Sequence, residues 1–160
     1  SMSDKLTDLY NRLGYHNFAV NMFRRSHETG ERLGVLFMDM DKLKYINDTF
    51  GHACGDDAIR SIATSVKNSI PAEAVPVRYG GDEILVITPI DKDEDMEEIV
   101  NRIHEDIPKT ARGFNLPVLP DVSAGYVITD PGSPLTLEEY VEEADKLMYN
   151  EKLLKRVERG

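Results

Sequence analysis

The chain carries a single cysteine, no tryptophan, no long apolar run and a shortage of positive charge. Each absence excludes something. Cys54 alone cannot close an internal disulfide, so a reducing, cytoplasmic setting is expected. The four histidines and this cysteine show no spacing of the kind that builds a zinc site. No stretch approaches the ~20 apolar residues that cross a bilayer, and the polar amino terminus does not read as a signal peptide. A membrane anchor elsewhere in a longer parent is compatible with both observations. With 19 Lys and Arg against 29 Asp and Glu, the formal charge of −10 argues against nucleic acid or anionic membranes as general partners. A phosphate-rich ligand would have to be received by metal ions and by locally placed basic residues. There is no internal repeat and no low-complexity segment.

What remains is ordinary in bulk. At 160 residues, 41% hydrophobic and 30% charged, the chain suits one globular domain spanning 1–160 with a proper core. Ser1-Met2 reads as a cloning remnant, so the domain is expected to be a piece of a longer protein.

Periodicity supplies the elements. Tyr15, Phe18 and Met22 fall at helical spacing, predicting a helix over about 15–28 closed by Thr29-Gly30. Residues 33–40 form a first strand, followed by a polar stretch from Lys42 to Gly55 with Asn47-Asp48 and Gly51 as turn or cap residues. Ile59, Ile62, Ala63, Val66 and Ile70 mark a second helix, with Asp56 and Asp57 in its first turn and Pro71 at its end. A hairpin over about 74–88 turns at Gly80-Gly81. Met96, Ile99, Val100, Ile103 and Ile107 predict a third helix ending at Pro108, preceded by a solvated acidic run from Asp91 to Glu98. Residues 121–129 read as a strand. A last helix opens with the capping box Thr136/Glu139 and turns Val141, Ala144 and Met148 inward. The order α-β-α-β-β-α-β-α predicts an α+β sandwich of ferredoxin-like type, its central sheet mixed and mostly antiparallel and flanked by helices.

The chemistry concentrates in acids. The apolar run 33–38 ends in Asp39-Met40-Asp41, which puts charge at the rim of a core, where it is costly unless paired. Asp82 and Glu83 follow directly on the predicted hairpin turn, at an exposed tip. If strand end and hairpin tip meet, three carboxylates converge. Two such charges ~4 Å apart repel by about 4 kcal/mol at an effective dielectric near 20. A bound cation is the expected resolution.

At this point the residues resemble a family. Gly80-Gly81-Asp82-Glu83-Ile84, preceded by Arg78-Tyr79, is similar to the signature of the GGDEF domain, the diguanylate cyclases. Leu6 to Arg12 resembles that family's first motif, with Asp8 where glycine is usual; 39–56 resembles its substrate-binding segment, and 144–152 its last helix. The resemblance covers residues 5 to about 157. It implies a palm-type fold like the adenylyl cyclase core and the condensation of two GTP into cyclic di-GMP with release of pyrophosphate. It further implies Mg²⁺, with Mn²⁺ as the alternative, held by Asp39, the Met40 carbonyl, Asp82 and Glu83. Asp82 would accept the proton of the ribose 3′-hydroxyl and Lys44 would stabilise transition-state charge. Asn47 and Asp56 would read guanine, with His52 beside the nucleotide and Gly80 and Gly81 in the turn against it. Lys152 and Arg156 would meet the β- and γ-phosphates. The implied partners are GTP, a second copy in a transient head-to-head dimer, and an upstream sensory or dimerisation domain, with no nucleic acid. Ile84 stands where phenylalanine is usual and should pack beneath the site. Residues 71–76 lack the arginine of an Arg-x-x-Asp product-binding pair, so no inhibition through that site is expected.

Each residue also has a plainer use. Asp41 could cap the short helix after it; Asn47 and Asp56 could be cap residues, and His52 a structural hydrogen bonder. Lys152 and Arg156 could be solvated charges near a helix C-terminus, and Cys54 simple packing. The functional alternatives are a non-catalytic GTP-binding module and another nucleotidyltransferase on the same fold; the intact set Asp39, Lys44, Asn47, Asp56, Asp82 and Glu83 argues against the first, and Asp56 disfavours adenine in the second.

Overall fold

Alternating side chains sort the central strands onto two faces, and the helices follow the apolar residues. The computed structural model describes residues 1–159. Strands β1 (Leu33–Met40), β2 (Val75–Arg78), β3 (Glu83–Pro89) and β4 (Val122–Ile128) form one sheet in the order β2-β3-β1-β4. All pairings between these strands are antiparallel. A parallel contact occurs at an isolated bridge, Tyr10 with Val77. The mixed sheet expected from sequence is therefore antiparallel throughout its strands. The helical crossover returns β2 in the direction of β1, but the hairpin then inserts β3, running the other way, between them.

The helical segments are α1 (Arg12–Gly14), a π-helical turn (Tyr15–Ala19), α2 (Val20–Thr29), α3 (Leu43–Phe50), α4 (His52–Ser69), α5 (Asp95–Gly113) and α6 (Leu137–Arg159). Leu36, Met38, Met40, Ile84 and Val86 pack with α4 and α5 in one core. Val35, Phe37, Leu85 and Ile87 pack with the amino-terminal helices and α6 in the other. Strand β1 is thus covered on both sides, which is why it reads as a continuous apolar run. Ile84 is buried opposite Met38, beneath the acids as expected.

Three local expectations change. The polar stretch after β1 folds as α3 and the start of α4, separated only at Gly51, whose φ is 94°. Because α4 begins at His52, Asp56 and Asp57 lie beyond its first turn; Asp57 instead pairs with Arg60 at 2.6 Å. Helix α5 runs through Pro108 to Gly113. Ile107 and Ala111 are buried on either side of the proline, so core packing carries the helix past the missing donor. The capping box is formed: Thr136 Oγ1 accepts from the Glu139 amide at 3.1 Å and the Glu139 carboxylate accepts from the Thr136 amide at 3.0 Å.

Two backbone details position the site. Asp8 has φ 60°, a left-handed conformation that favours glycine and that aspartate tolerates. At Gly125 a Cβ would lie 2.2 Å from the Met148 amide nitrogen, so the missing side chain lets α6 rest directly on β4. No helix among the described residues is long and apolar enough to cross a membrane.

Candidate active site

The strand end and the hairpin tip meet. Asp39 is the register partner of Glu83, and the Met40 amide donates to the Asp82 carbonyl at 2.9 Å. Two arginines hold the turn by its backbone. Arg78 Nη2 donates to the Gly81 carbonyl at 2.8 Å, while its guanidinium reaches the Asp4 carboxylate at 3.3 Å. Arg12 Nε donates to the Tyr79 carbonyl at 2.7 Å, and the guanidinium lies 3.6 Å from the centre of the Tyr79 ring. Both arginines lie in motifs visible in the sequence, but their turn-holding roles depend on contacts from α1 and β2 that no local pattern encodes.

The electrostatics of the acids follow from this closure. Half-buried Asp39 has its carboxyl pushed up to about 7, first by burial, then by a hydrogen bond with Asp82 and that group's charge, with Lys152 opposing. Its Oδ1 is buried with no hydrogen-bond partner. Glu83 is also raised, by burial and then by Asp145 and Asp82, against Arg12 and Lys152. Asp145 on α6 is an acid of this neighbourhood that sequence reasoning did not single out. Asp82 and Glu83 are half-buried rather than exposed. The Glu83 carboxylate is turned toward Gly80, where a Cβ would meet Oε1 at 2.2 Å. Among the described residues no three acidic, histidine or cysteine side chains close into a ready-made metal cage, yet the three acids feel one another: Asp82 and Glu83 both push Asp39 up, and Asp82 pushes Glu83 up.

A cation nevertheless rests on these oxygens. Lys152 Nζ donates to the Met40 carbonyl at 3.2 Å and lies 3.5 Å from Asp39 Oδ2. An ammonium over a carbonyl and a carboxylate, beside an unpartnered carboxylate oxygen, marks a hard-oxygen donor set of the kind Mg²⁺ takes. The residues present therefore fit a divalent ion.

Next to the acids lies a cavity of ≈ 440 Å³ lined by Asp41, Lys42, Lys152, Lys155, Arg156 and Arg159. Five of these six are cationic, as a polyphosphate requires. Asp41 does not cap α3; Lys42, at φ 59°, takes the N-cap position. Asp41 is buried instead, accepting from Ser123 Oγ at 2.7 Å and from Lys155 Nζ at 2.7 Å. Lys155 was invisible to sequence reasoning, because nothing near it in the chain signals a buried acid on β1. A larger cavity of ≈ 620 Å³, bounded by Met22, Arg25, Pro71 and Ile90, shares none of the candidate residues.

Asn47 on α3 lies over Gly55, where a Cβ would come within 1.7 Å of its Oδ1; exposed Asp56 is the next residue along α4. Close packing of the two helices thus brings the candidate base readers together. Exposed His52 begins α4. The Lys44 side chain is 90% exposed and pairs with Asp48 at 2.7 Å, which raises its pKa. Gly80 and Gly81 sit in the turn as expected.

Residues 1–158 match the family model described as diguanylate cyclase, GGDEF domain. The chain is 32% identical over 154 residues to diguanylate cyclase DosC of Escherichia coli K12, covering 91% of this chain and 32% of DosC. It is 32% identical over 155 residues to the response regulator PleD of Caulobacter vibrioides NA1000, covering 95% of this chain and 34% of PleD. The chain thus spans about a third of the length of these curated relatives. The GGDEF domain of TpbB (YfiN) from Pseudomonas aeruginosa superposes with a TM-score of 0.84 at 29% identity, covering 95% of this chain and 89% of that one. The GGDEF domain of DgcB from Caulobacter crescentus, solved with cyclic di-GMP, superposes at 0.80 with 26% identity over 95% of this chain and 90% of that one. A match over nearly every residue, together with a shared fold, places this chain in the GGDEF, or diguanylate cyclase, domain family.

Proposed function

We propose that this domain is a diguanylate cyclase that condenses two GTP into cyclic di-GMP. The observation that carries the reading is the meeting of the strand end at Asp39 and Met40 with the turn at Asp82, under the Lys152 ammonium and beside a cationic cavity. Asp39, the Met40 carbonyl, Asp82 and Glu83 would hold Mg²⁺, or Mn²⁺ in its place. When bound, the ion supplies polarisation of the α-phosphate and a lowered pKa for the attacking hydroxyl. Asp82 takes the proton of the ribose 3′-hydroxyl as the 3′-O–P bond forms and the bond to pyrophosphate breaks. Lys152 and Arg156 receive the β- and γ-phosphates, and Lys44 leaves Asp48 to meet charge building in the transition state. Asn47 pairs with the guanine edge, and Asp56 accepts from N1 and N2, which adenine cannot satisfy. His52 flanks the nucleotide, and the Gly80-Gly81 backbone lets it come close.

One domain binds one GTP and holds half of the reaction. Two copies must face each other so that each hydroxyl attacks the other's phosphate, and that proximity is a large part of the acceleration. The DgcB structure that includes a coiled coil is one example of a relative with an added helical segment; an upstream sensory or dimerisation domain is the corresponding partner here. The setting is cytoplasmic and nucleic acid is no partner. Residues 71–76 offer no arginine, so the product should not inhibit through a site there.

The test is to incubate the concentrated domain with GTP and Mg²⁺ and measure cyclic di-GMP by mass spectrometry. Turnover that disappears in Asp82→Asn supports the reading. GTP binding without product, even with dimerisation forced by a fused coiled coil, would replace it with a non-catalytic GTP-binding module.

A further inference from the structure

Asp41 has no role in the scheme above, yet it is the most deeply buried acid near the site, at 8% exposure. A carboxylate so placed needs both hydrogen bonds and a counter-charge. Two ammonium groups approach it, one helical turn apart on α6: Lys155 at 2.7 Å from Oδ2 and Lys152 at 3.8 Å from Oδ1. They differ in how they are held. Lys155 also donates to the Val122 carbonyl at 2.8 Å and lies 3.5 Å from Asp121. Asp121 is itself fixed by His104 at 3.1 Å and the Val122 amide at 2.9 Å. Lys155 is therefore anchored to β4 and, through Asp121, to α5. Lys152 has a single hydrogen bond, to the Met40 carbonyl, and divides its charge between Asp39 and Asp41 at longer range. Among the described residues no other cation is paired with Asp41.

We propose that Lys155 is a positioning residue for nucleotide binding: by neutralising Asp41 it leaves Lys152 free to exchange Met40 and Asp39 for the phosphates of an incoming nucleoside triphosphate. The inference rests on the site reading given under the proposed function. Without Lys155, Asp41 keeps Lys152 as its only counter-ion. The cation needed at the phosphates is then tied to the strand end, and an uncompensated charge opposes its departure. Removing the charge of Asp41 as well removes the need for Lys155.

The experiment uses the whole domain with Lys155→Met, Lys155→Arg and the double variant Lys155→Met/Asp41→Asn. The first readout is the Lys152 Nζ resonance in nucleotide-free protein, which should move in Lys155→Met as the ammonium closes on Asp41. The second is calorimetric affinity for a non-hydrolysable GTP analogue with Mg²⁺. It should fall about tenfold in Lys155→Met, one charge-assisted contact, and return to within about twofold in the other two variants. An unmoved resonance or an unchanged affinity overturns the proposal. So does a loss that Asp41→Asn does not repair, since Lys155 would then be touching nucleotide directly. If Lys155→Met does not fold, Asp41→Asn alone decides: the Lys152 resonance should shift as its partner is lost, and no shift overturns the idea. A domain that shows the Lys152 shift but makes no cyclic di-GMP would refute the cyclase reading and leave this one standing.

Discussion

Lys152, on the last helix, donates to the carbonyl of Met40 at 3.2 Å, so a side chain of α6 rests on the strand end that carries Asp39. The same ammonium lies 3.5 Å from Asp39 Oδ2. A metal taking those oxygens and a lysine resting on them are in competition, whereas a triphosphate taking the lysine away relieves it. Lys152→Met should therefore act in opposite directions on two ligands. Affinity for Mg²⁺ without nucleotide should rise, and affinity for GTP should fall, each by about tenfold. Calorimetric titration of each ligand alone checks this; a change of the same sign for both would contradict the competition.

Asp39 gives the acids a pH dependence. Its carboxyl moves from 3.8 to about 7 in the metal-free fold, so the folded chain binds that proton more tightly than the unfolded chain. Stability is then untouched below about pH 4, falls as pH rises toward about 7, and stays lowered above it. In EDTA, Asp39→Asn should raise the melting temperature by several degrees at pH 8 and hardly at all at pH 4. Thermal scans across that range test the sign, and a gain that is equal at both ends would remove the proposed cause.

The seating of α6 depends on Gly125. A Cβ there would lie 2.2 Å from the Met148 nitrogen and 2.4 Å from the Ala144 carbonyl oxygen, both rigid backbone atoms. Gly125→Ala should cost about 1–3 kcal/mol through overpacking and, by lifting α6, should weaken GTP binding further than the stability loss explains. Denaturant unfolding and nucleotide titration on the same preparation separate the two.

Gly55 is a contrasting case. A Cβ there would strike only the side chain of Asn47, 1.7 Å from Oδ1. That side chain can rotate away, so Gly55→Ala should leave unfolding within about 1 kcal/mol of the parent, since a helical alanine offsets part of the clash, while moving a proposed guanine reader. Discrimination of GTP from ATP should drop; retention of full discrimination would argue against a role for Asn47.

Legibility differed by element for physical reasons. Strand β1 could be bounded at 33–40 because it is buried on both faces and ends abruptly in charge. The hairpin and the capping box could be read because their turn and cap chemistry is local. Pro108 misled, because a proline's cost is local while the burial of Ile107 and Ala111 that outweighs it is not. The stretch after β1 hid α3, whose few apolar residues sit among polar ones. Asp41 looked like a cap from its position, but the short helix is capped at Lys42 and the acid is claimed by a lysine 114 residues away.

The residues alone settle the α+β class, the family and the acids that stand at one strand end and one hairpin tip, because periodicity, turn chemistry and motif spacing are properties of neighbouring positions. Folding decides the rest: that burial and the neighbouring Asp82 push the Asp39 carboxyl up, that Glu83 turns to Gly80, and that Lys155 rather than solvent answers Asp41. The last of these ties α6 to the end of β1, and the energy of a charge depends on what surrounds it in space, which only the packed chain supplies.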